Sequence, residues 1–269
     1  MFRSLLVSLL AFTCCGAVAA APAQRKQEPA SVLFIGNSYT YAHDLPAVVA
    51  AMGKAGKVKL QTQSYTAGAA ALIQFWEEPE LAKSRELVKS GKFDYVVLQD
   101  QSVTPCTSPE WTIKFGGKWA QLAHKFKSKP VFFITWAHIT PNGQSFDFAM
   151  QDELTAVYRR VADENDAICA PVGEAWRRGY TKHPNETLHL EDGSHPNALG
   201  TYLAGCVFYG VLAHQSAVGL PCRLRTGPRA TLAVPADKAK ECQEIADAVV
   251  KAERKRTAAN ANPAAAQTR

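Results

Sequence analysis

Three residues from two distant segments of the chain could together carry out nucleophilic chemistry. Asp192 and His195 are three positions apart across a turn that contains Gly193, so the carboxylate can reach the nearer ring nitrogen. The farther nitrogen then points outward as a general base, and Pro196 favours an extended backbone at His195. Ser38 follows an apolar run, and its hydroxyl becomes nucleophilic when a base removes its proton. The pattern predicts Ser38 as nucleophile, His195 as base and Asp192 as the orienting carboxylate.

The same residues also have structural explanations. Serine is favoured at helix N-caps, so Ser38 could simply cap the helix that follows it. Asp192 could cap a turn and leave His195 as a solvated loop histidine. The sequence contains no Gly-x-Ser-x-Gly, so the nucleophile elbow of ordinary α/β-hydrolases is absent. The catalytic hypothesis therefore requires the fold to bring Ser38 to His195.

Short apolar and β-branched runs alternate with segments of helical spacing along the chain. The predicted strands are residues 31–35, 58–64, 95–99, 131–135 and 167–172. The predicted helices are residues 45–52, 80–90, 111–126 and 146–165, with a further helix after Asn197. Continuous apolar runs suit strands that are buried on both faces, so the alternation predicts an α/β fold with a mainly parallel five-stranded sheet between two helical layers.

In such a sheet the site lies where the carboxyl ends of the strands run into loops. The candidate loops are 36–40, 65–69, 100–102 and 191–197. Ser38 lies in the first of them, and Asp192 and His195 lie in the last.

The block Gly36-Asn37-Ser38 and the later Asp192-x-x-His195 together resemble the SGNH/GDSL-type serine hydrolase family, in its Gly-Asn-Ser branch. The resemblance covers most of residues 31–213. It implies a three-layer α/β/α sandwich with a flavodoxin-like sheet, an acyl-enzyme mechanism through Ser38, and no requirement for a metal or an organic cofactor.

The resemblance also implies an oxyanion hole. Its donors would be the backbone N–H of Ser38, the backbone N–H of Gly68 and a side chain after the third strand. Most family members carry Gly-x-Asn-Asp there, whereas this chain reads Gln99-Asp100-Gln101-Ser102. Gln101 is thus expected as the third donor, with Gln99 as the alternative. Asp100 is expected to point away from the oxyanion.

The two ends of the chain differ from the rest. Residues 1–21 combine Arg3, an apolar run and small residues in an A-x-A pattern, which predicts a cleaved signal peptide and export. A membrane anchor is the rival interpretation, but the run is shorter than the ~20 residues that a spanning helix needs. Residues 22–29 are predicted to be a linker, 30–250 the catalytic domain and 251–269 a disordered tail.

Composition excludes several classes of protein. The chain of 269 residues is 47% hydrophobic with a net charge of +6, which is typical of a globular protein and gives no basic patch for nucleic acid. Five cysteines remain after the signal peptide, which permits two disulfides in an oxidising compartment, with Cys222 and Cys242 the most disulfide-like. Neither C-x-x-C pairs nor histidine spacing indicates a metal site.

Three more residues near the predicted site have possible roles. Trp136 and His138 follow the fourth strand and could line the substrate pocket, although core packing suits Trp136 equally well. His189 precedes Asp192 by three positions and could tune the triad or contact substrate.

The sequence therefore predicts an exported serine esterase that acts on small acyl groups, plausibly acetyl groups on carbohydrates, with a small-molecule or glycan ester as its partner. No nucleic acid partner and no stable membrane insertion are expected, and the oligomeric state stays open. A lipid esterase or a thioesterase remains open within the same class. The alternative from another class is a non-catalytic glycan- or surface-binding protein that keeps the fold, and the Gln101 departure favours it.

Overall fold

Five parallel strands form the central sheet of the computed structural model, which describes residues 30–140 and 145–261. The strands are β1 (Ala30–Gly36), β2 (Leu60–Thr66), β3 (Tyr95–Leu98), β4 (Lys129–Phe133) and β5 (Ile168–Ala170). Each lies within three residues of its predicted bounds, and the α/β prediction is confirmed. The predicted signal peptide and the predicted linker both lie outside the described residues.

The strand order is β2-β1-β3-β4-β5. Chain order therefore reverses between β1 and β3, which pair in parallel with Ile35 opposite Leu98. The inner strands are apolar and buried on both faces, as a sheet covered by two helical layers requires. A ligand site is expected at this reversal, outside the carboxyl ends of the two strands.

Ten α-helices lie in the described part of the chain, and none of them is both long and apolar enough to cross a bilayer. They are α1 (Ser38–Tyr41), α2 (Leu45–Ala55), α3 (Leu72–Glu77), α4 (Lys83–Lys89), α5 (Thr104–Thr107), α6 (Pro109–Lys125), α7 (Phe148–Glu164), α8 (Val172–Lys182), α9 (Ala198–Ala213) and α10 (Ala236–Ala261).

The helices form two layers on opposite faces of the sheet. Phe208 of α9 packs edge-on against Phe34 of β1 and Phe133 of β4, and α2, α8 and α10 pack around α9. Phe132, one residue earlier on β4, faces the other layer, where it lies under Gly116 of α6. This alternation is the period of two that a strand imposes on its side chains.

Helix α9 is enclosed on all sides, since every residue from 200 to 213 is buried. Close contact with α2 depends on Gly205, where a Cβ atom would lie 2.8 Å from a Val48 methyl group. Because α9 carries no polar face and is packed on all sides, it fixes the position of the C-terminal end of the loop that precedes it.

The end of the chain differs from the prediction. Residues 251–261 belong to α10, so the predicted disordered tail is wrong over this stretch, and 262–269 lie outside the described residues. A two-stranded antiparallel hairpin, β6 (Arg223–Arg225) and β7 (Thr231–Ala233), precedes α10 and was also not predicted.

Ion pairs, rather than large apolar residues, hold the last turns of α10. Glu253 is only 4% exposed and accepts hydrogen bonds from Arg159 of α7 at 2.6 Å and from Arg256 at 2.7 Å. Arg256 also binds both carboxylate oxygens of Asp163. The sequence does not reveal this anchor, because charged residues such as Glu253 and Arg256 are also typical of a solvated tail.

The cysteines also differ from the prediction. All five that the structure describes are free thiols: Cys106, Cys169, Cys206, Cys222 and Cys242. Cys222 and Cys242, which were expected to be the most disulfide-like, are also free, and Cys242 lies in α10 and not in a loop. Burial raises the pKa of the Cys242 thiol to about 12, which keeps it protonated and unreactive.

The Glu253 anchor predicts a stability effect. Glu253→Gln removes the charge that two arginines share, and we expect the free energy of unfolding to fall by about 1–3 kcal/mol. Urea unfolding would measure it, with Glu244→Gln on the exposed side of α10 as the matched control. Equal unfolding midpoints for the two variants would contradict the assigned anchor.

Candidate active site

Ser38 is the first residue of α1 and lies one residue after β1. The N-cap of this short helix is Asn37, whose Oδ1 accepts a hydrogen bond from the Tyr39 N–H at 3.2 Å. The alternative role of Ser38 as N-cap is therefore wrong, and its hydroxyl is available for another contact. Its backbone N–H lies in the first turn, where a helix offers no acceptor.

Ser38, His195 and Asp192 lie in one hydrogen-bonded line. Ser38 Oγ is 2.8 Å from His195 Nε2, and His195 Nδ1 is 2.6 Å from Asp192 Oδ2. Asp192 Oδ1 also accepts from the backbone N–H of His195 and of Ser194, both at 2.9 Å. The fold thus brings together three residues that are up to 157 positions apart.

The environment of Asp192 keeps it ionised. Partial burial alone would raise the pKa of this carboxyl group, but the hydrogen bonds from Ser194, from the His195 backbone and from the His195 ring outweigh burial and lower the pKa to about 2. A carboxylate at Nδ1 selects the tautomer of His195 that presents an unprotonated Nε2 to Ser38. The arrangement can therefore remove the Ser38 proton.

The loop that carries Asp192 and His195 is held at both ends. His189 and Pro196 form an isolated antiparallel bridge, and the Leu190 N–H donates to the His195 carbonyl at 2.8 Å. Asn197 caps α9 by accepting from the Gly200 N–H. Because α9 is packed on all sides, its N-cap fixes the position at which the catalytic loop (residues 190–195) ends.

A pair of side-chain and backbone amides joins the loops after β1 and β3. The Asn37 N–H donates to Gln99 Oε1 at 2.9 Å, and Gln99 Nε2 donates back to Asn37 Oδ1 at 2.8 Å. Asn37 Nδ2 donates to the carbonyls of Ala70 at 3.0 Å and Asp100 at 3.4 Å. All of these groups are buried, so the position of Ser38 depends on one asparagine that both donates and accepts.

We call this Asn37–Gln99 amide pair the clamp. The predicted oxyanion donors Ser38, Gly68 and Gln101 lie within two residues of Asn37 or of a residue that Asn37 contacts. Gly68 lies in the turn after β2, between Ala67, whose N–H donates to the Gly36 carbonyl, and Ala70, whose carbonyl binds Asn37. The turn is therefore tied to the residues directly before Ser38. The roles of the Ser38 and Gly68 N–H groups stay predictions.

The two glutamines after β3 differ in what they can still donate. Gln99 Nε2 uses its two hydrogens on Asn37 and on the Asp100 carbonyl. Gln101 Oε1 accepts from Val103 and Thr104, and its Nε2 donates one hydrogen to Ser102 Oγ at 3.2 Å. A second hydrogen remains on Gln101 Nε2, so the geometry favours Gln101 over Gln99 as a donor.

Asp100 points into the protein, as expected. Its carboxylate accepts from the backbone N–H groups of Leu72 and Gln101 and from the Thr112 hydroxyl. Burial raises the pKa of this group. Asp100 therefore anchors the start of α3 and the Gln101 turn and does not face Ser38.

A second polar cluster, which we call the Tyr39 cluster (Tyr39, His138 and Ser194), supports the catalytic loop. The Tyr39 hydroxyl is 2.7 Å from Ser194 Oγ and 3.0 Å from His138 Nε2, and these two atoms are 3.2 Å apart. Burial raises the pKa of Tyr39 to about 12 and lowers the pKa of His138. Both groups therefore favour their neutral forms. The position of Ser194 between Asp192 and His195 was a usable signal, whereas nothing in the sequence marked Tyr39.

Trp136 lies below this cluster and is fully buried, so of its two expected roles the structure shows core packing and not pocket lining. Its ring stacks on Tyr39 at 4.4 Å and on Trp176 at 4.1 Å, and its Nε1 donates to the Ser194 carbonyl at 2.8 Å. The two tryptophan rings thus form a flat apolar surface beneath Tyr39, the residue that follows Ser38.

The contacts of His189 serve to hold the fold together. Nδ1 lies 2.7 Å from the Tyr180 hydroxyl and Nε2 lies 3.0 Å from the Ala137 carbonyl. Burial lowers the pKa of this imidazole to about 4. His189 thus joins α8 and the loop after β4 to the start of the catalytic loop, and no described hydrogen bond links it to Asp192.

One group of potential metal ligands occurs among the described residues. His183, Glu186 and Glu241 have ligand atoms within 4.8 Å of one another. Lys238 Nζ is 2.8 Å from Glu186, and Lys182 Nζ is 2.6 Å from Glu241. Since both carboxylates already bind ammonium groups, the arrangement is that of an ion-pair network.

Comparisons with known proteins identify the fold. No protein-family model matches the chain, and no curated protein matches it. Among solved structures, a protein from Slackia heliotrinireducens predicted to be an SGNH hydrolase is 22% identical, with a TM-score of 0.60 over 68% of this chain and 99% of that chain. The chain has the fold of an SGNH hydrolase.

Two further structures share the SGNH hydrolase fold. A DUF4886 family protein from Bacteroides uniformis is 15% identical, with a TM-score of 0.65 over 83% of this chain and 95% of that chain. The acetyl xylan esterase AlAXEase is 16% identical, with a TM-score of 0.53 over 68% of this chain and 99% of that chain. At such identities the likeness concerns the fold, so activity has to be argued from the site.

The clamp predicts that aspartate cannot replace Asn37. Asn37→Asp removes two donated hydrogen bonds and turns a carboxylate toward two carbonyl oxygens, so we expect a loss of about 2–3 kcal/mol in the free energy of unfolding. Burial would raise the pKa of the new carboxyl group as it does that of Asp100. A raised pKa in the folded state means that stability is lost as pH rises, so the deficit should be larger at pH 8 than at pH 5.

Urea unfolding at the two pH values would measure this effect. Asn185→Asp, in an exposed loop, is the matched control and should differ little from the parent protein. A deficit that is independent of pH, or that grows on acidification, would contradict the account.

The Tyr39 cluster predicts an effect on turnover. Tyr39→Phe keeps the stack on Trp136 but removes the hydroxyl that holds Ser194 and His138. We expect kcat to fall by about 3- to 10-fold, with KM for a small ester little changed, because about 1 kcal/mol of positioning is lost. The double variant with Ser194→Ala should be less than additive, since both changes break one contact. Tyr65→Phe, whose hydroxyl binds the remote Glu80 carbonyl, is the control. An unchanged kcat in Tyr39→Phe would exclude a positioning role.

Proposed function

We propose that the protein is an exported serine esterase that hydrolyses small acyl esters, above all acetyl esters carried on carbohydrates. The observation that carries the proposal is the line of contacts from Ser38 Oγ to His195 Nε2 and from His195 Nδ1 to Asp192. A serine at a helix cap or a loop histidine needs no such line, whereas nucleophilic catalysis requires it.

The first half of the reaction forms an acyl-enzyme. Ser38 Oγ attacks the ester carbonyl carbon while His195 Nε2 takes the hydroxyl proton, and Asp192 stabilises the resulting imidazolium. The negative oxygen of the tetrahedral intermediate would be bound by the backbone N–H groups of Ser38 and Gly68 and by Gln101. Collapse of the intermediate breaks the bond to the alcohol oxygen, which receives the proton from His195.

The second half reverses these steps with water. His195 takes a proton from a water molecule, whose oxygen attacks the acyl carbon, and the acid leaves as Ser38 recovers its proton. One ester and one water give one acid and one alcohol, so no redox partner or co-reactant enters the cycle. Loss of one oxyanion donor in such enzymes typically lowers kcat by about 10²–10³.

The choice of carbohydrate esters as substrates is supported by one structural neighbour and by one prediction from the sequence. One of the structural neighbours is an acetyl xylan esterase. The predicted signal peptide at residues 1–21 would place the protein among extracellular or periplasmic substrates. The non-catalytic alternative rests on the departure at Gln101, and the contacts of Ser38 argue against it because a binding protein has no use for them.

Hydrolysis of p-nitrophenyl acetate and butyrate tests the proposal. We expect turnover of the acetate by the purified protein and a fall in kcat of about 10³-fold or more in Ser38→Ala, because the nucleophile acts as one unit with its base. Ser90→Ala, remote from the site in sequence and bonded only to the Leu87 carbonyl, is the matched control. Circular dichroism would establish that the variants are folded.

A serine-reactive fluorophosphonate gives a second measurement. It should add its phosphonyl group to Ser38, with release of fluoride, and leave Ser38→Ala unlabelled. Equal hydrolysis by the parent protein and Ser38→Ala would overturn the esterase proposal.

A further inference from the structure

A cavity of about 570 Å³ borders the catalytic loop and has no role in the mechanism above. Its walls include residues 190–193 of that loop, residues 184–187 after α8, Tyr180 of α8, and four residues of the connection between β4 and α7: Ile139, Thr140, Ser145 and Phe146. The volume lies within the range of small-ligand sites. Four wall residues, 190–193, belong to the segment that positions the base.

The cavity borders the loop that carries Asp192 and His195, and His195 is the base that protonates the departing alcohol. His195 Nε2 must come within hydrogen-bond distance of the departing alcohol oxygen, whereas the negative carbonyl oxygen would face the Ser38 and Gly68 N–H groups. The alcohol portion of the ester therefore extends past His195, whose ring contacts Asp192 at the cavity wall. Neither Ser38 nor His195 lines the cavity, so the inference concerns alcohol portions longer than the leaving group of a small aryl acetate.

The charges of the wall have one sign. Glu186, Glu191 and Asp192 line the cavity, and the lining that the structure describes contains neither lysine nor arginine. Glu186 is paired with Lys238 and Asp192 is bonded to His195, whereas Glu191 is exposed and forms no ion pair among the described residues. The negative potential of this wall disfavours an anionic ligand.

The uncharged part of the wall suits a sugar. Asn185 supplies an exposed amide group, and Thr187 is also exposed, although its hydroxyl already donates to the His189 carbonyl and accepts from the His189 N–H. Leu190 is 48% exposed and offers an apolar surface for the C–H face of a ring. Polar groups around a limited apolar surface are the usual composition of a site for a neutral, hydroxyl-rich ligand.

We propose that this cavity is the binding subsite for sugar units beyond the acetylated one, and that Glu191 makes it selective for uncharged sugars over carboxylate-bearing sugars. The proposal rests on the proposed function and extends it from the scissile ester to the remote part of the substrate.

A blocking substitution tests the subsite. Asn185→Trp places an indole at an exposed position of the wall of a cavity that neither Ser38 nor His195 lines. In the parent protein we expect kcat/KM for acetylated xylotriose to exceed that for acetylated xylose by about 10-fold, the equivalent of about 1.4 kcal/mol of added binding. Asn185→Trp should abolish this difference when each protein's kcat/KM values are normalised to its own hydrolysis of p-nitrophenyl acetate. Thr231→Trp, on the exposed face of β7, is the control for surface tryptophan.

A charge series tests selectivity. Glu191→Gln should reduce, and Glu191→Lys should reverse, the preference for neutral xylo-oligosaccharide acetates over those bearing a glucuronic acid branch. Both effects should shrink in 0.5 M salt, because screening weakens charge interactions at exposed sites. A preference that is the same in all three proteins would overturn the role of Glu191.

The remaining outcomes separate this proposal from the proposed function. Hydrolysis of p-nitrophenyl acetate that depends on Ser38, without any advantage of xylotriose over xylose, would overturn the subsite and keep the esterase. Calorimetric binding of unacetylated xylotriose gives a measurement that needs no catalysis. We expect Ser38→Ala to bind xylotriose and the double variant Ser38→Ala/Asn185→Trp not to bind it. Absence of binding to Ser38→Ala, or equal binding by the two proteins, would overturn the subsite.

Discussion

The amide pair between Asn37 and Gln99 is the contact on which the geometry of the site depends. It joins the loops after β1 and β3, at the point where the strand order reverses, and Asn37 Nδ2 extends it to the turn that follows β2. Three strand ends are thus tied through one buried side chain. Because Asn37 also caps α1, the direction of Ser38 Oγ follows from the same bonds. A glycine-rich turn alone would leave the nucleophile free to rotate with its loop.

The other half of the site is held by different means. His195 comes from a loop fixed by the N-cap of α9 and by the bridge between His189 and Pro196. The Tyr39 cluster joins the two halves directly, since Tyr39 follows Ser38 in the chain and its hydroxyl binds Ser194 of the opposite loop. A contact of 2.8 Å between Ser38 and His195 therefore arises from two anchored segments and does not have to position them itself.

Much of this arrangement could be predicted from the sequence because it depends on local patterns. The apolar runs marked all five strands, and Asp192-x-x-His195 before a helix marked the base. The failures share a cause, which is that the decisive partners are remote. Glu253 stabilises α10 through Arg159, which is 94 positions earlier in the chain, and Cys242 is buried in α10, a helix that was not predicted. Tyr39 has a role only once the fold places Ser194 opposite it.

The two acidic residues near the site show how burial divides their tasks. Asp192 is close to solvent, and the donors around it lower its pKa, so it keeps the charge that an imidazolium needs. Asp100 is fully enclosed, and burial raises its pKa despite three donated hydrogen bonds. The carboxyl group of Asp100 accepts hydrogen bonds inside the protein from Leu72, from Thr112 and from the backbone N–H of the predicted oxyanion donor Gln101. Asp100 therefore serves as a structural anchor next to the predicted oxyanion hole, whereas Asp192 serves the base.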